Sequence, residues 1–311
     1  MTEKIFTDKR YVCILALFIN MLWGSAYPVV KYGYELLSIT PADTASQLLF
    51  AGVRFFAAGV LLLLFCGLTG KKIFRMHCLD FGRLTLLGLV MTTAQYCFLY
   101  IGLSHASGVK STIINSSAVF FGVIFAHFFF KNEKLRQNVI WGCIIGFFGV
   151  AVINQEPSRL NLEFSLLGEG FIVLASIIVA MGDIYGKIIS QQMDALLMSA
   201  WQMALGGFVL LTLGLAWGGS LGGLTPLSFG LLLYMVLISA VAGSVVAALL
   251  KYNPVSTVMV FYFSMPVLGA VLSVALLGEN VLQLKNLLAL LCVSAGIMLV
   301  TRSGPMAKRA A

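Results

Sequence analysis

Residues 46–66 read SQLLFAGVRFFAAGVLLLLFC, and Arg54 is the single charged side chain among them. A helix needs roughly 20 mostly apolar residues to cross the hydrocarbon layer of a membrane. This stretch therefore predicts a transmembrane helix. Arg54 lies about eight residues inside the helix, where a charge against lipid is costly, so we expect its side chain to face protein or a water-filled cavity.

The whole chain shares this apolar character. Its 311 residues are 60% hydrophobic and 10% charged, with a mean hydropathy of +0.98. An ordinary soluble domain carries about 25% charged residues. The composition excludes a cytosolic enzyme, a disordered protein and a nucleic-acid-binding module, although the net charge of +8 would otherwise suit a polyanion. We interpret the basic excess as a signal of membrane topology.

The same criterion predicts ten transmembrane helices in an all-α integral membrane protein. The first segment is too long for the roughly 7 to 15 apolar residues of a secretory signal, so we expect it to stay in the protein. The ten segments cover residues 11–30, 46–66, 84–103, 109–130, 137–153, 170–190, 195–217, 227–250, 255–276 and 284–300.

Basic residues predict the orientation of these segments, because Lys and Arg accumulate on the cytoplasmic side of membrane proteins. With a cytoplasmic N-terminus, most of the 20 basic residues fall on that side. An even number of spans returns the chain to the side on which it started. The sequence therefore predicts a multi-pass protein of the cytoplasmic (inner) membrane, with both termini cytoplasmic.

The two halves of the chain are weakly similar, and the matches occur in the same order. Residues 23–27, WGSAY, correspond to residues 181–185, MGDIY. Gly59 follows Arg54 at the spacing at which Gly207 follows Gln202. Because each half holds five spans, the halves must face opposite ways in the bilayer. We predict two inverted five-helix repeats, in residues 1–155 and 156–311, with a binding site between them near the midplane.

With ten predicted spans in two similar halves, the chain resembles the drug/metabolite transporter superfamily, specifically its EamA-type ten-helix carriers. The resemblance covers nearly the whole chain. It departs from the family pattern at Met181, where a Trp is expected, and at Lys131 and Asn132, where Leu-Gly is usual. The residues that carry the resemblance are Trp23, Gly24, Pro28, Lys31, Arg54, Glu133 and Glu279.

The resemblance implies a secondary transporter of small organic metabolites, amino acids or related compounds, that works by alternating access. Export is the direction it favours, and proton coupling and facilitated diffusion both remain open. The alternative is an importer of an organic cation, a nucleobase or a vitamin. An intramembrane enzyme and a channel are less favoured.

Aromatic and polar side chains in the predicted spans are the candidate substrate contacts. Indole and phenol rings offer stacking surface, a polar group and attraction for a cation. Contact with lipid or the membrane interface is the alternative for the aromatics, and helix–helix hydrogen bonding is the alternative for the asparagine. The candidates are Trp23, Tyr27, Tyr96, Tyr100, Asn115, Tyr185 and Tyr262.

Charged residues inside the spans have two interpretations each. Asp183 is a carboxylate well inside the sixth span and could carry a proton, or it could form a static ion pair with Lys187 one helical turn later. Arg54 could attract an anionic or zwitterionic substrate, but a structural clamp on backbone carbonyls is favoured. Gly24, Pro28 and Pro266 interrupt helices and are candidate hinges, with a static kink as the alternative.

The remaining signals concern cofactors and partners. The sequence has no Walker motif, and none of its three histidines has the HExxH spacing of a zinc protease. We therefore expect no cofactor, no metal, no nucleic-acid partner and no enzymatic activity, and we expect membrane lipids and a small-molecule substrate as partners. Gly142 and Gly146 form a GxxxG packing motif that serves contacts within or between protomers, so the protein is a monomer or a homodimer.

Overall fold

The computed structural model describes residues 2–40, 42–75, 77–106, 111, 114–153, 165–223, 225–268 and 284–303. These residues form helices and connecting turns, and no strand occurs among them. The α-helices are α1 (Thr2–Thr7), α2 (Lys9–Leu36), α3 (Thr44–Leu68), α4 (Cys78–Gly88), α5 (Gln95–His105), α6 (Ala118–Phe129), α7 (Gln137–Ile153), α8 (Phe171–Ser190), α9 (Ala195–Ala216), α10 (Pro226–Tyr252), α11 (Val255–Met259) and α12 (Leu284–Ser303).

Helical winding changes at three places. The π-helical stretch Leu89–Ala94 joins α4 to α5 without a break, and a second π-helical turn, Leu166–Gly170, leads into α8. After α11 the chain tightens into a 3₁₀-helix, Val260–Phe263, just before Pro266. Because proline has no N–H to donate to the preceding turn, a change of winding is expected there.

Five helical stretches are long and apolar enough to cross a membrane, and shorter apolar helices accompany them. The described part of the chain thus has the helix lengths and the apolar composition of a membrane protein. The five long stretches are Thr44–Leu68, Cys78–Leu103, Leu166–Ser190, Ala195–Ala216 and Pro226–Tyr252. The shorter ones are Ala118–Phe129, Gln137–Val152, Val255–Leu268 and Leu287–Arg302.

Two predicted boundaries were wrong. The third segment begins at Cys78, six positions before the predicted residue 84, and the helix includes Asp80 and Arg83, which form an i,i+3 pair at 3.6 Å. The first helix continues to Leu36 beyond the predicted end at residue 30. Parts of the fourth and ninth predicted segments, and Glu279, lie outside the described residues.

Side chains at the helix starts satisfy backbone N–H groups that have no partner inside the helix. Asp43 accepts a hydrogen bond from the Ser46 N–H at 3.0 Å, and Asp194 accepts one from the Leu197 N–H at 3.0 Å. Thr225 begins α10 with a capping box. Such caps stabilise a helix by about 1 kcal/mol each, and they fix where α3, α9 and α10 begin.

Helices α3 and α9 pack against each other along their length, and glycine allows their backbones to touch. A Cβ added to Gly59 would lie 2.6 Å from the Ala204 Cα, and a Cβ added to Gly207 would lie 2.8 Å from the Phe56 Cα. Gly59 and Gly207 are 148 positions apart, and so are Phe56 and Ala204. Each half therefore makes the same contact: the glycine of one helix meets the backbone of the other helix at the equivalent position.

Helices α7 and α12 form a second pair with the same property. A Cβ added to Gly149 would lie 2.9 Å from the Ala289 carbonyl oxygen, and one added to Gly296 would lie 2.5 Å from the Gly142 carbonyl oxygen. Gly149 and Gly296 are 147 positions apart, as are Gly142 and Ala289. The GxxxG motif that begins at Gly142 therefore serves a contact within the chain.

Connections between helices meet at two ends of the bundle. We call one the α1 end, because α1 lies there, and the other the far end. At the far end the Gly222 N–H donates to the Leu37 carbonyl at 3.1 Å. Polar contacts at the α1 end join Lys71 to Asp194 (2.7 Å), Arg83 to Gln192 (2.6 Å) and Asn253 to the Phe6 carbonyl (2.8 Å).

Candidate functional site

A cavity of about 520 Å³ is lined by helices α2–α6 and α8–α10 and by the segment that contains Tyr262 and Met265. This volume is in the range of small-molecule binding sites. Among the described residues, α7 and α12 contribute nothing to its wall, so the α7–α12 pair lies beside the site. The wall is mostly apolar and aromatic, with a few polar groups that converge on it.

Two groups of aromatic rings form parts of this wall. Trp23 and Tyr262 meet edge to face, with ring centroids 5.6 Å apart. Tyr96 contacts Tyr100 at 5.7 Å and Phe55 at 4.5 Å. Such pairs fix each other's orientation and present flat surfaces with polar edges. The cavity can therefore hold a planar or cationic group against fixed rings.

Arg54 supplies a buried positive charge. Its side chain is part of the cavity wall, and the residue is only 4% exposed. The Nε atom donates to the Ser239 hydroxyl at 2.6 Å, and the guanidinium carbon lies 4.8 Å from the centre of the Phe55 ring. The structure thus gives Arg54 a hydroxyl partner in place of the backbone carbonyls favoured from the sequence. No carboxylate of the described residues forms an ion pair with it.

Asp183 places a buried carboxyl group on α8. The residue is 1% exposed, and its Oδ2 atom accepts a hydrogen bond from the Tyr262 hydroxyl at 3.0 Å. The ion pair with Lys187 that the sequence left open does not form. Lys187 instead bonds to Glu133, which approaches from the connection between α6 and α7. Asp183 therefore has a neutral partner and no ion pair within the described part of the chain.

A third polar group lies where the π-helical stretch passes α9. The Gln202 amide donates to the Thr92 hydroxyl at 2.6 Å, and the Thr93 hydroxyl donates to the Gly206 carbonyl at 3.0 Å. Both Gln202 and Thr92 line the cavity. π-Helical turns are frequent at functional sites. Here the extra residue turns Thr92 toward the cavity and Thr93 toward the neighbouring helix.

Most of the predicted site residues converge on this cavity, although they come from distant parts of the sequence. Tyr185 does not line it and packs beside Leu84, Leu87 and Ile189. Two positions along a helix correspond to a rotation of about 200°, so Tyr185 points away from the side on which Asp183 lies. The predicted site residues that do line the cavity are Trp23, Arg54, Tyr96, Tyr100, Asn115, Asp183 and Tyr262.

The hinge candidates Gly24, Pro28 and Pro266 lie in two different helical segments. Helix α2 continues through Gly24 and Pro28 to Leu36, while the side chains of Tyr27 and Pro28 lie outside the described part of the structure. Pro266 directly follows Met265, which lines the cavity. The change to 3₁₀ winding before Pro266 places the one irregular turn of this segment beside the site.

Sequence analysis missed several residues of the wall. Tyr34 lies beyond the predicted end of the first span, and Ser239 is one of several hydroxyl-bearing residues in an apolar helix. Its position opposite Arg54 depends on the packing of α10 against α3, which no local pattern reveals. Methionines are a further signal, because their flexible side chains adapt to different ligands. Those in the wall are Met91, Met198, Met203 and Met265.

Comparisons with known proteins agree with this architecture. The sequence profile of the EamA-like transporter family matches residues 10–155 and 166–302. The uncharacterized transporter YvbV of Bacillus subtilis is 28% identical over 308 residues, which cover 97% of this chain and 95% of YvbV. The uncharacterized inner membrane transporter YedA of Escherichia coli K12 is 29% identical over 265 residues, or 79% of each chain.

A solved crystal structure has the same fold. It superposes with a TM-score of 0.80 at 14% sequence identity, over 96% of this chain and 98% of the other. At this identity the likeness concerns the fold alone. The names of the relatives indicate a transporter rather than an enzyme. Because the family profile covers most of both halves, the chain belongs to the EamA-like transporter family.

Proposed function

We propose that the protein is a secondary transporter that exports small zwitterionic metabolites, amino acids or close relatives, across the cytoplasmic membrane. The observation that carries the proposal is the pair of buried opposite charges in one cavity, Arg54 and Asp183. Each has a neutral hydrogen-bond partner in the described structure. A buried charge without a counter-ion is unfavourable, so a substrate with both an acidic and a basic group is stabilised there.

The aromatic rings favour the same substrate class. Tyr262 bonds to Asp183 and contacts Trp23, so an ammonium group at Asp183 also meets the faces or edges of two rings. Aromatic faces attract cations. Near Arg54, the Phe55 and Tyr96 rings provide apolar surface for the carbon skeleton. The site therefore combines two charge contacts with a hydrophobic surface.

Alternating access is supported by the reciprocal helix contacts. Gly59 meets Ala204 as Gly207 meets Phe56, which is the pattern expected of two related halves around a pseudo-two-fold axis. The family profile also matches one stretch in each half. We therefore propose ten transmembrane helices in two inverted units, residues 1–155 and 156–311. The basic residues support a cytoplasmic α1 end, with both termini on that side.

The monomer is the oligomeric state that we propose. The GxxxG motif, which sequence analysis left open between contacts within and between protomers, is used inside the chain by the contact of Gly142 with Gly296. The cavity also lies among helices of one chain. A single protomer accordingly contains the complete candidate site.

An importer of an organic cation is the second candidate. Asp183, Tyr262 and Trp23 together form a setting that suits a cation. A purely cationic substrate would carry no group that neutralises the Arg54 guanidinium. The two positive charges would also repel each other. The two candidates therefore differ in whether a substrate carboxylate is required.

Ligand-induced stabilisation distinguishes these candidates. We expect the unfolding midpoint of the purified protein to rise with an amino-acid zwitterion and not with its methyl ester or its decarboxylated amine. A ligand at 100 times its Kd stabilises the folded state by about 2.7 kcal/mol. A series of the common amino acids, each with these two analogues, covers the substrate class.

The Arg54→Gln variant is the matched test of the carboxylate contact. Loss of this contact is expected to weaken zwitterion binding at least about tenfold, equivalent to about 1.4 kcal/mol, and to reduce the preference over the methyl ester. Stabilisation of the wild-type protein by the amine as strongly as by the zwitterion would contradict the proposal and support the organic-cation candidate.

A further inference from the structure

A buried ion pair holds helices together at the α1 end. The Lys187 ammonium, in the last turn of α8, lies 2.5 Å from one Glu133 carboxylate oxygen and also donates to the Asn253 carbonyl at 2.6 Å. The second Glu133 oxygen accepts the Val255 N–H at 2.7 Å. Glu133 thus ties the connection between α6 and α7 to α8 and to the start of α11. We call these four residues the clasp.

The clasp is shielded from solvent. The side chains of Lys187 and Glu133 are 13% and 7% exposed, and the Phe130 ring covers the ammonium with its centre 4.9 Å away. An exposed ion pair contributes little, whereas removing one partner of a buried pair leaves a buried charge that is strongly unfavourable. Breaking the clasp therefore requires water or a second counter-ion for Lys187.

The clasp also joins the two proposed halves next to the cavity. Glu133 belongs to the first half, while Lys187, Asn253 and Val255 belong to the second. Gly186, the neighbour of Lys187, lines the cavity. A rocking movement that opens the cavity toward the α1 end has to separate Glu133 from Lys187.

We propose that Lys187 is a switch that exchanges Glu133 for Asp183 when the α1 end opens. Asp183 precedes Lys187 by four positions on α8, the spacing at which opposite charges meet on one helix face. In the closed arrangement Asp183 bonds to the Tyr262 hydroxyl and forms no ion pair with a described residue. It is therefore available as the counter-ion that the released ammonium needs.

This switch connects substrate binding to the movement, and in this respect it rests on the proposed function. An empty, ionised Asp183 attracts Lys187 and favours the open α1 end. A substrate ammonium at Asp183 removes that attraction, so Lys187 returns to Glu133 and the α1 end closes around the substrate. An exporter with a cytoplasmic α1 end needs these events in this order: the empty protein opens to the cytoplasm, binds substrate there and then closes.

Distance measurements between spin labels test the switch in the full-length protein in lipid nanodiscs. Lys134, next to Glu133, and Gln191, one helical turn after Lys187, are exposed and are suitable label sites in a variant without its native cysteines. We expect Glu133→Gln to create a population with a longer distance between the labels. We expect Asp183→Asn, added to Glu133→Gln, to reduce this long-distance population, because Lys187 has then lost its partner in the open arrangement as well.

Two further variants make the test specific. Asp80→Asn removes a partly exposed carboxylate at the same end, whose ion-pair contact is with Arg83 of the same helix, and it should leave the distances unchanged. Glu133→Asp retains the charge with a shorter reach and should produce the longer distance in a smaller fraction of molecules. It replaces Glu133→Gln if that variant does not give a folded, monodisperse protein.

An unchanged distance distribution in both Glu133 variants would overturn the clasp as a closing element. A long-distance population in the double variant as large as that in Glu133→Gln would overturn Asp183 as the second partner of Lys187. Neither measurement requires substrate, so failure of the switch in a protein that transports zwitterions leaves the proposed function intact. Conversely, the expected distances in a protein that transports no zwitterion would reject the proposed function alone.

Discussion

The Asp183→Asn variant is expected to lose transport driven by a pH gradient and to retain its folded state, because we propose Asp183 as the residue that carries the coupled proton. Asp183 is buried in the cavity wall with Tyr262 as its hydrogen-bond partner, and an amide of the same size can replace the carboxyl group without changing packing. The amide can neither release a proton nor neutralise a substrate ammonium. Accumulation of labelled zwitterion in proteoliposomes with an imposed pH gradient should therefore fall to the level of protein-free liposomes.

A matched control separates this effect from a general loss of charge. Asp80 is a partly exposed carboxylate near the start of α4, outside the cavity wall, and Asp80→Asn should preserve gradient-driven accumulation. Counterflow, which needs no gradient, should survive in the Asp183 variant at higher substrate concentrations. Gradient-driven accumulation at the wild-type level in Asp183→Asn would eliminate Asp183 as the proton carrier.

The Gly59→Ala variant is expected to have the largest effect on stability. Its new Cβ would meet the Ala204 Cα at 2.6 Å and the Ala200 carbonyl oxygen at 2.8 Å. These are backbone atoms of a helix packed along its length, so they cannot rotate away. Overpacking of this kind destabilises a protein by on the order of 1–3 kcal/mol, which thermal unfolding in detergent would detect as a lower midpoint.

Two comparisons complete this experiment. Gly230 is also inside a long helix, but a Cβ there has no atom within 4 Å, so Gly230→Ala should be neutral or stabilising by up to about 1 kcal/mol through helix propensity. Gly207→Ala should destabilise the protein as strongly as Gly59→Ala, because the two contacts are reciprocal. A strong effect at only one of these two positions would count against equivalent halves.

The sequence predicts the helices well because each helix is specified by its own consecutive residues. An apolar run of about 20 residues specifies a membrane helix whatever its neighbours are, and α3 and α9 follow from such runs. The error at the third segment has a physical origin. The hydropathy criterion placed Asp80 and Arg83 before the helix, but opposite charges three positions apart are favourable within a helix, and this helix begins at Cys78.

Contacts between distant residues are where sequence analysis failed. The four-residue spacing suggested that Lys187 pairs with Asp183, whereas the fold brings Glu133 from 54 positions away. Only the packing of α6 against α8 establishes that choice. The position of Tyr185 is different, because helical periodicity alone places it on the side opposite Asp183, and a stricter use of that rule would have removed it from the candidates.

Counterflow in proteoliposomes tests the central claim, that one cavity with two opposite charges carries a zwitterion by alternating access. Vesicles filled with unlabelled zwitterion are placed in a trace of the labelled compound. The account predicts a transient accumulation of label that saturates with substrate concentration and is lost with the corresponding amine. A flux that rises linearly with concentration, without stimulation by internal substrate, would indicate a pore and contradict the account.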